Sequence, residues 1–285
     1  MTNFLKANLK NIKHEIYRGF NSDHTQLKKF QNKYEFEIII GNYKVKTATT
    51  KTEVIESLKL RHDVFYGELL SSQHPTGLDI DRYDAFYDHI VVIDQKSNQV
   101  IATYRVQSSL ISQDLYSKSE FDLRHLKLDK TVFLEIGRAC VHAHFRKTTV
   151  LNCLWRGVAE YVKISKTEFL IGCGSIKTEA PKEVAKLCQY FIKNKLVNEQ
   201  YDCPPLESFK IETLDAELQK IQHQNWTTED DKLISKLIPP LFKSYIKAGA
   251  KVSTIPAWDK DFKCVDYLIF LNTSEIKSNY ENRYL

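Results

Sequence analysis

The segment FLEIGRACV, residues 133–141, reads as a strand buried on both faces, yet it carries Glu135 and Arg138. An unpaired ion taken out of water is costly, so each of these charges needs a partner or a bound ligand. Strand alternation sets Phe133, Glu135, Gly137 and Ala139 on one side and Leu134, Ile136, Arg138 and Cys140 on the other. Glu135 and Arg138 should therefore face apart, unless Gly137 permits a bulge that re-aims one side chain. Two readings stand: a structural ion pair, or a catalytic or ligand-binding pair. Further candidates lie upstream: Arg61 on a helix near Phe65, Asp79, Asp81 and Asp84 in an acidic loop, and Arg105 at the end of a strand. Each alone is an ordinary solvated charge. Together with Glu135 and Arg138 they form an ordered set.

The surrounding elements must position these side chains. Tyr34 to Ile40 and Tyr43 to Thr47 flank Gly41-Asn42 and predict a hairpin, followed by a helix from about Thr52 to Leu69. Two strands follow the acidic loop, His89 to Asp94 and Gln99 to Val106, and then comes the buried strand at 132–141. Leu151, Leu154, Trp155, Val158 and Val162 share one face of a helix over Thr149 to Ser165. FLIGCGSI (169–176) is a strand, and Pro181 opens a helix to about Asn194. Residues 198–230 read as irregular and polar. A helix from about Glu229 runs past Pro239-Pro240 to Ala248, and CVDYLIFLN (264–272) is a late strand. Strands joined by turns and by helices predict α/β or α+β architecture around one mixed sheet.

Composition narrows the class. With 285 residues, 42% hydrophobic and 27% charged, the chain has the make-up of a soluble globular protein. No run is long and apolar enough to cross a bilayer, and residues 1–20 lack the features of a secretory signal, which places the protein in the cytoplasm. Six cysteines without a CxxC pair fit reduced thiols better than a zinc site or disulfides. His142 and His144 could share a metal, but no third ligand suggests itself, so no metal is expected. Residues 1–33 hold seven basic residues against Glu15 and Asp23, equal to the formal excess of +5 of the whole chain. Leu5, Leu9, Ile12, Ile16 and Phe20 gather on one face there. A basic amphipathic helix suits an anionic membrane surface or an acidic partner; a terminal helix packed on its own domain is the alternative.

The order LRHDVF (60–65), GLDIDRYD (77–84), IATYRV (101–106), EIGRACV (135–141), then LWRGVAEYV and LIGCGS, resembles the acyl-carrier-protein-dependent GNAT acyltransferases. Ornithine lipid N-acyltransferases, also labelled hemolysin-like, are the nearest in pattern; acyl-homoserine lactone synthases and N-acyl amino acid synthases are more distant. IPPLFKSYIKAGAKVSTIPAWDKDF extends the resemblance to about residues 43–272. It implies a GNAT-like mixed central sheet flanked by helices, with a splayed cleft between the fourth and fifth strands. The implied organisation is a basic extension (1–33), an acyltransferase domain (34–272) with a helical insertion at about 198–248, and a tail (273–285).

The resemblance also implies roles. Glu135 would be the general base, directly or through a water, and Arg138 would order the site by pairing with Asp81 or Asp84. Asp79, Asp81 and Asp84 would otherwise hold the acceptor's ammonium and cationic side chain, while Arg61 and Arg105 match further basic positions. The usual GNAT phosphate loop is replaced by Arg146-Lys147-Thr148-Thr149-Val150-Leu151, without glycine. Glycines let backbone amides close on a diphosphate, so their loss disfavours coenzyme A. The expected donor is the acyl-phosphopantetheine of an acyl carrier protein, held by Val141, Arg146 and Lys147, with no permanently bound cofactor. The expected acceptor is an amino acid, ornithine first, then glycine or lysine, and no nucleic acid is expected. A lipid product gives the amino-terminal helix a membrane-facing purpose, peripheral on the inner face. The rival readings are an acyl-homoserine-lactone-type synthase and a non-catalytic carrier-protein or lipid-binding module.

Overall fold

The structure is a computed structural model that describes Leu27 and residues 30–72, 75–126, 130–146, 149–198, 200–201, 203–222 and 224–275. The expected amino-terminal amphipathic helix lies outside these residues.

The β-rich runs on either side of Gly41-Asn42 form β1 (Glu37–Ile40) and β2 (Tyr43–Thr47), and Gly41 supplies the positive φ, 57°, that the turn needs. Helix α1 (Lys51–His62) starts at a capping box between Thr50 and Glu53, and its last turn carries Lys59, Arg61 and His62. The expected α-helix does not continue to Leu69 as such: Asp63–Leu69 widens into a π-helix. Strands β3 (Asp88–Asp94), β4 (Gln99–Ser108) and β5 (Phe133–Val141) follow. Helix α2 (Val150–Ile164) returns the chain to β6 (Phe169–Ile176), which runs parallel to β5. Helices α3 (Pro181–Lys193), α4 (Leu214–Gln222), α5 (Thr228–Leu237) and α6 (Pro240–Ala248) lead to β7 (Lys251–Val252), β8 (Ala257–Asp259) and β9 (Cys264–Asn272).

The sheet order is β1-β2-β3-β4-β5-β6-β9-β7, with β8 on β9. The architecture is the mixed α/β, GNAT-like sheet with flanking helices that the motifs imply. One face carries α2 through α6, where Val158, Tyr161, Leu187, Phe191, Phe242 and Tyr267 are buried in one cluster. The other carries α1, through Val54, Leu58 and Leu60 against Val91 and Ile93. Three sequence expectations are corrected. Residues 198–230 are not all irregular: α4 forms there, and it escapes notice because Leu214 and Ile221 are its only buried side chains. The helix expected across Pro239-Pro240 is two, α5 and α6, because Pro239 lacks the amide that would continue the first. The short strands β7 and β8 also went unread.

β5 and β6 pair only over Phe133–Glu135 with Phe169–Ile171. Beyond that point β5 stays on β4 and β6 stays on β9, as far as Ile176 opposite Val265. The sheet therefore splits along its middle. Because the hairpin contributes two strands, the splayed pair is fifth and sixth in chain order rather than fourth and fifth.

Candidate active site

The alternation expected for β5 fails at one point. Thr103 pairs with Cys140 and Arg105 with Gly137, so Arg138 and Ala139 together face Tyr104 alone. This is a bulge, and its distinctive residue is Arg138, at φ 52°. A left-handed arginine is uncommon and costs on the order of 1 kcal/mol. The shift changes the phase of the strand: Arg138 and Cys140 join the face of Glu135, while Ala139 and Val141 join Leu134 and Ile136. The re-aiming that Gly137 was expected to permit does occur, and it turns Arg138 toward the aspartates.

Arg61, from the last turn of α1, is fully buried. Its Nε donates to Asp79 Oδ2 at 2.7 Å and its Nη1 to Asp84 Oδ1 at 2.6 Å. Arg105 Nη1 donates to Asp81 Oδ1 at 2.6 Å and to Asp84 Oδ1 at 3.1 Å. Arg138 Nη2 reaches Asp81 Oδ2 at 3.3 Å, and its Nη1 stands 3.9 Å from Asp79. Three arginines and three aspartates thus neutralise one another in a closed network. Burial alone would raise the Asp84 carboxyl, but Arg61 and Arg105 outweigh it and hold the group well below the usual carboxylate range. His89 is packed against Asp84, its Nε2 3.3 Å from the Asp84 carbonyl. Burial lowers its imidazole to about 4, so the ring is neutral. The aspartates read from sequence as acceptor ligands are already engaged by arginine.

Glu135 is 3% exposed and is likewise engaged. Its carboxylate accepts from the Tyr87 hydroxyl at 2.5 Å, the amides of Tyr116 and Ser117 at 2.6 and 2.7 Å, and the Ser117 hydroxyl. Burial and the adjacent Glu135 push the Tyr87 phenol upward, which keeps it a donor. Glu135 therefore pins the turn Tyr116–Ser119 to the sheet. The glutamate and arginine of β5 do not pair with each other; each belongs to a different network.

The split between β5 and β6 opens into a cleft of about 350 Å³. Alternation along the strands gives its two sides different chemistry. On the α2–α6 side it is lined by Tyr104, Ile136, Gly174, Leu241, Phe242 and Tyr245, and the Tyr104 and Tyr245 hydroxyls bond to each other. On the opposite side it is lined by Tyr116, Arg138, Cys173, Asp259, Cys264 and Asp266. Arg138 alone of the three arginines lines the cleft, its guanidinium carbon 5.2 Å from the Phe262 ring centre and 5.5 Å from that of Tyr116.

Sequence reasoning missed the acidic end of this cleft. Oxygen or sulfur atoms of Glu120, Cys173 and Asp266 lie within 4.8 Å of one another, as do those of Asp259, Cys264 and Asp266. Burial, and then the neighbouring Asp259, push the Asp266 carboxyl up to about 6, although Ser175, Glu120 and Arg138 oppose the shift. Burial and Asp266 raise Glu120 well above its ordinary range. Asp266 was readable from the same signal as Glu135, a charge inside the apolar strand CVDYLIFLN. Glu120 and Tyr116 sit in a loop with no periodicity to mark them.

Of the residues expected at the donor phosphate, Val141 and Arg146 lie together. Arg146 donates from Nη1 and Nη2 to Glu68 at 2.6 and 2.8 Å and from Nε to the Val141 carbonyl at 2.9 Å. Lys147 lies outside the described residues. Among the described residues, no helix is long and apolar enough to cross a membrane.

Residues 60–156 match the acetyltransferase (GNAT) domain family, a stretch that runs from the end of α1 into α2 and includes the bulged strand. The L-ornithine N(alpha)-acyltransferase of Brucella abortus strain 2308 is 25% identical over 259 residues, covering 86% of this chain and 89% of that protein. The enzyme of the same name from Rhizobium meliloti strain 1021 is 27% identical over 259 residues, covering 86% and 85%. A solved CoA-dependent acyl-homoserine lactone synthase, BjaI, overlays with a TM-score of 0.43 at 12% identity, over 81% of this chain and 80% of that one. Residues 60–156 are thus a GNAT acetyltransferase domain, and the chain that carries it is an N-acyltransferase enzyme homologous over most of its length to the L-ornithine N(alpha)-acyltransferases.

Proposed function

We propose that the protein moves a long-chain, 3-hydroxylated acyl group from the phosphopantetheine thioester of an acyl carrier protein to the α-amino group of ornithine. The product would be a lyso-type aminolipid. The observation that carries this reading is the split sheet, whose one side is apolar and whose other side is charged. An acyl chain suits the Tyr104, Ile136, Phe242 and Tyr245 side, where it leaves water. An amino acid suits the Arg138 and Asp266 side. The likeness to L-ornithine N(alpha)-acyltransferases supports ornithine ahead of glycine and lysine.

In this reading the two substrates meet at the bulge. The α-carboxylate sits on Arg138, whose own aspartate partners stand at 3.3 and 3.9 Å and leave its guanidinium facing the cleft. The amine nitrogen attacks the thioester carbonyl, and a backbone amide of the bulge, out of register with β4, stabilises the oxygen as it gains charge. The carbon–sulfur bond then breaks, and the pantetheine thiolate leaves and takes a proton. Asp266 rather than Glu135 accepts the amine proton. It lines the cleft, and a carboxyl near 6 is mostly ionised yet still basic at neutral pH. Glu135 is assigned to positioning, since it holds Tyr116 against the cleft. Arg146 and Lys147, ahead of α2, remain the cations for the single phosphate of the pantetheine arm, with Arg146 exchanging Glu68 for it.

The test is mass spectrometry of the purified protein incubated with a 3-hydroxyacyl carrier protein or the matching acyl-CoA and a pool of amino acids. Acylornithine from the carrier protein supports the proposal. Amide from acyl-CoA alone would overturn the donor assignment, and no amide from either would overturn the reading.

A further inference from the structure

The acidic end of the cleft gathers more carboxyl groups than one amine requires. Glu120, Asp259 and Asp266 are 1%, 8% and 4% exposed, and among the described residues none of them forms an ion pair with lysine or arginine. Elsewhere in the site Asp79, Asp81 and Asp84 are matched by Arg61, Arg105 and Arg138, and Glu135 is satisfied by hydroxyl and amide donors. Glu120 is the sharpest anomaly: its Oε2 is fully buried and, among the described residues, has no hydrogen-bond partner. A carboxylate oxygen without a donor in a buried site is a standing cost of about 1–3 kcal/mol or more. It is retained where something absent from the chain supplies the donor. Glu120 stands beside Asp266, which lines the cleft, so whatever fills that place enters through it.

We propose that Glu120, with Asp259 and Asp266, seats a second positive charge of the acceptor, so that the enzyme selects amino acids bearing a cationic side chain. This rests on the N-acyltransferase reading and goes beyond it by assigning specificity. The division of labour follows from charge. Arg138 takes the carboxylate, Asp266 takes the proton of the reacting amine, and the Glu120 oxygen accepts a hydrogen bond from the side-chain ammonium. The amines raise no demand that the Arg61, Arg105 and Arg138 network could meet. The thiols of Cys173 and Cys264, both pushed upward by burial and then by the neighbouring carboxylates, stay protonated and add no charge.

The experiment is calorimetric titration of the protein, without donor, with ornithine and with norvaline, its isostere lacking the side-chain amine. Wild-type protein should bind ornithine about 100-fold more tightly, as expected for a buried charge pair. In Glu120→Gln the gap should fall to about 10-fold or less, while norvaline binding holds. Equal affinities in the wild type, or an unchanged gap in the variant, would overturn the assignment. So would stoichiometric zinc in the purified protein, lost in Glu120→Gln, because the cluster would then be a metal site. Removing a carboxylate from a repelling cluster should not unfold the protein, and the wild-type gap is decisive without the variant. Binding needs no turnover, so failure here is distinct from failure of the acyl transfer assay.

Discussion

Gly172 sits where the two halves of the sheet part, one residue past the last pair between β5 and β6. A Cβ added there would lie 2.1 Å from the Ile136 carbonyl oxygen, whereas contacts below 3.0 Å are essentially never seen. Gly172→Ala must therefore move backbone by about 0.9 Å, the difference between those two distances. Neither strand can yield alone, because β5 is held by β4 and β6 by β9. The accessible relief is to unzip the Glu135 and Ile171 pair. Overpacking at the top of its usual range plus a lost strand hydrogen bond comes to about 3–4 kcal/mol. For a chain of this size that lowers Tm by roughly 5–7 °C. Gly174→Ala is the control. Its Cβ would meet Ile269 Cδ1 at 2.4 Å and Phe242 Cε2 at 2.9 Å, side-chain ends that can rotate away, for about 1 kcal/mol. Differential scanning calorimetry of the two variants separates them. If Gly172→Ala melts within about 2 °C of the wild type, the two strands are not locked at the split as described.

Further outcomes follow from the same networks. Arg61→Met strands Asp79 and Asp84 without their closest cation and should cost about 3–5 kcal/mol, read from the urea midpoint; a loss below about 1 kcal/mol would mean that the network is solvated. Glu135→Gln should lower stability by about 1–3 kcal/mol and slow turnover less than Asp266→Asn does. Abolished turnover with unchanged stability would instead return the base to Glu135. The pH profile of kcat/KM should rise with a midpoint at about 6 as Asp266 ionises, and Asp266→Asn should lose that limb. Acid stability has opposing contributions. His89 is lowered to about 4, so the unfolded chain binds its proton first and stability falls as pH drops from about 6.5 toward 4. Asp266 is raised to about 6, so the folded chain binds that proton first and stability rises as pH drops from about 6 toward 3.8. Urea melts at pH 7 and 4.5 should therefore show Asp266→Asn losing more stability on acidification than the wild type.

Much of the framework was legible because it depends on local rules. Alternation and turn residues located β1 through β6 and β9, and helical spacing located α2 and α3, each to within a residue or two except β1, which starts three residues later than expected. Of the charged residues read as a set, Arg61, Asp79, Asp81, Asp84, Arg105 and Arg138 converge, whereas Glu135 joins a separate network. Their roles were not legible. Alternation is a local rule, and the bulge that turns Arg138 is fixed by pairing with β4, 32 residues away in sequence at Arg105 and Gly137. Whether a buried carboxylate is engaged or open depends on loops: Tyr116 and Ser117 satisfy Glu135, and among the described residues no donor satisfies Glu120 Oε2. Nothing in the spacing of residues 115–120 announces either fact.

The measurement that bears most directly on transfer across the split sheet is a crystal structure with ornithine and a long-chain acyl-pantetheine thioether, a donor mimic that cannot react. The chain should lie between β5 and β6 against Tyr104, Phe242 and Tyr245, with the ornithine carboxylate on Arg138 and its α-amine toward Asp266. An acyl chain bound elsewhere, or both ligands on the same side of the sheet, would contradict the account.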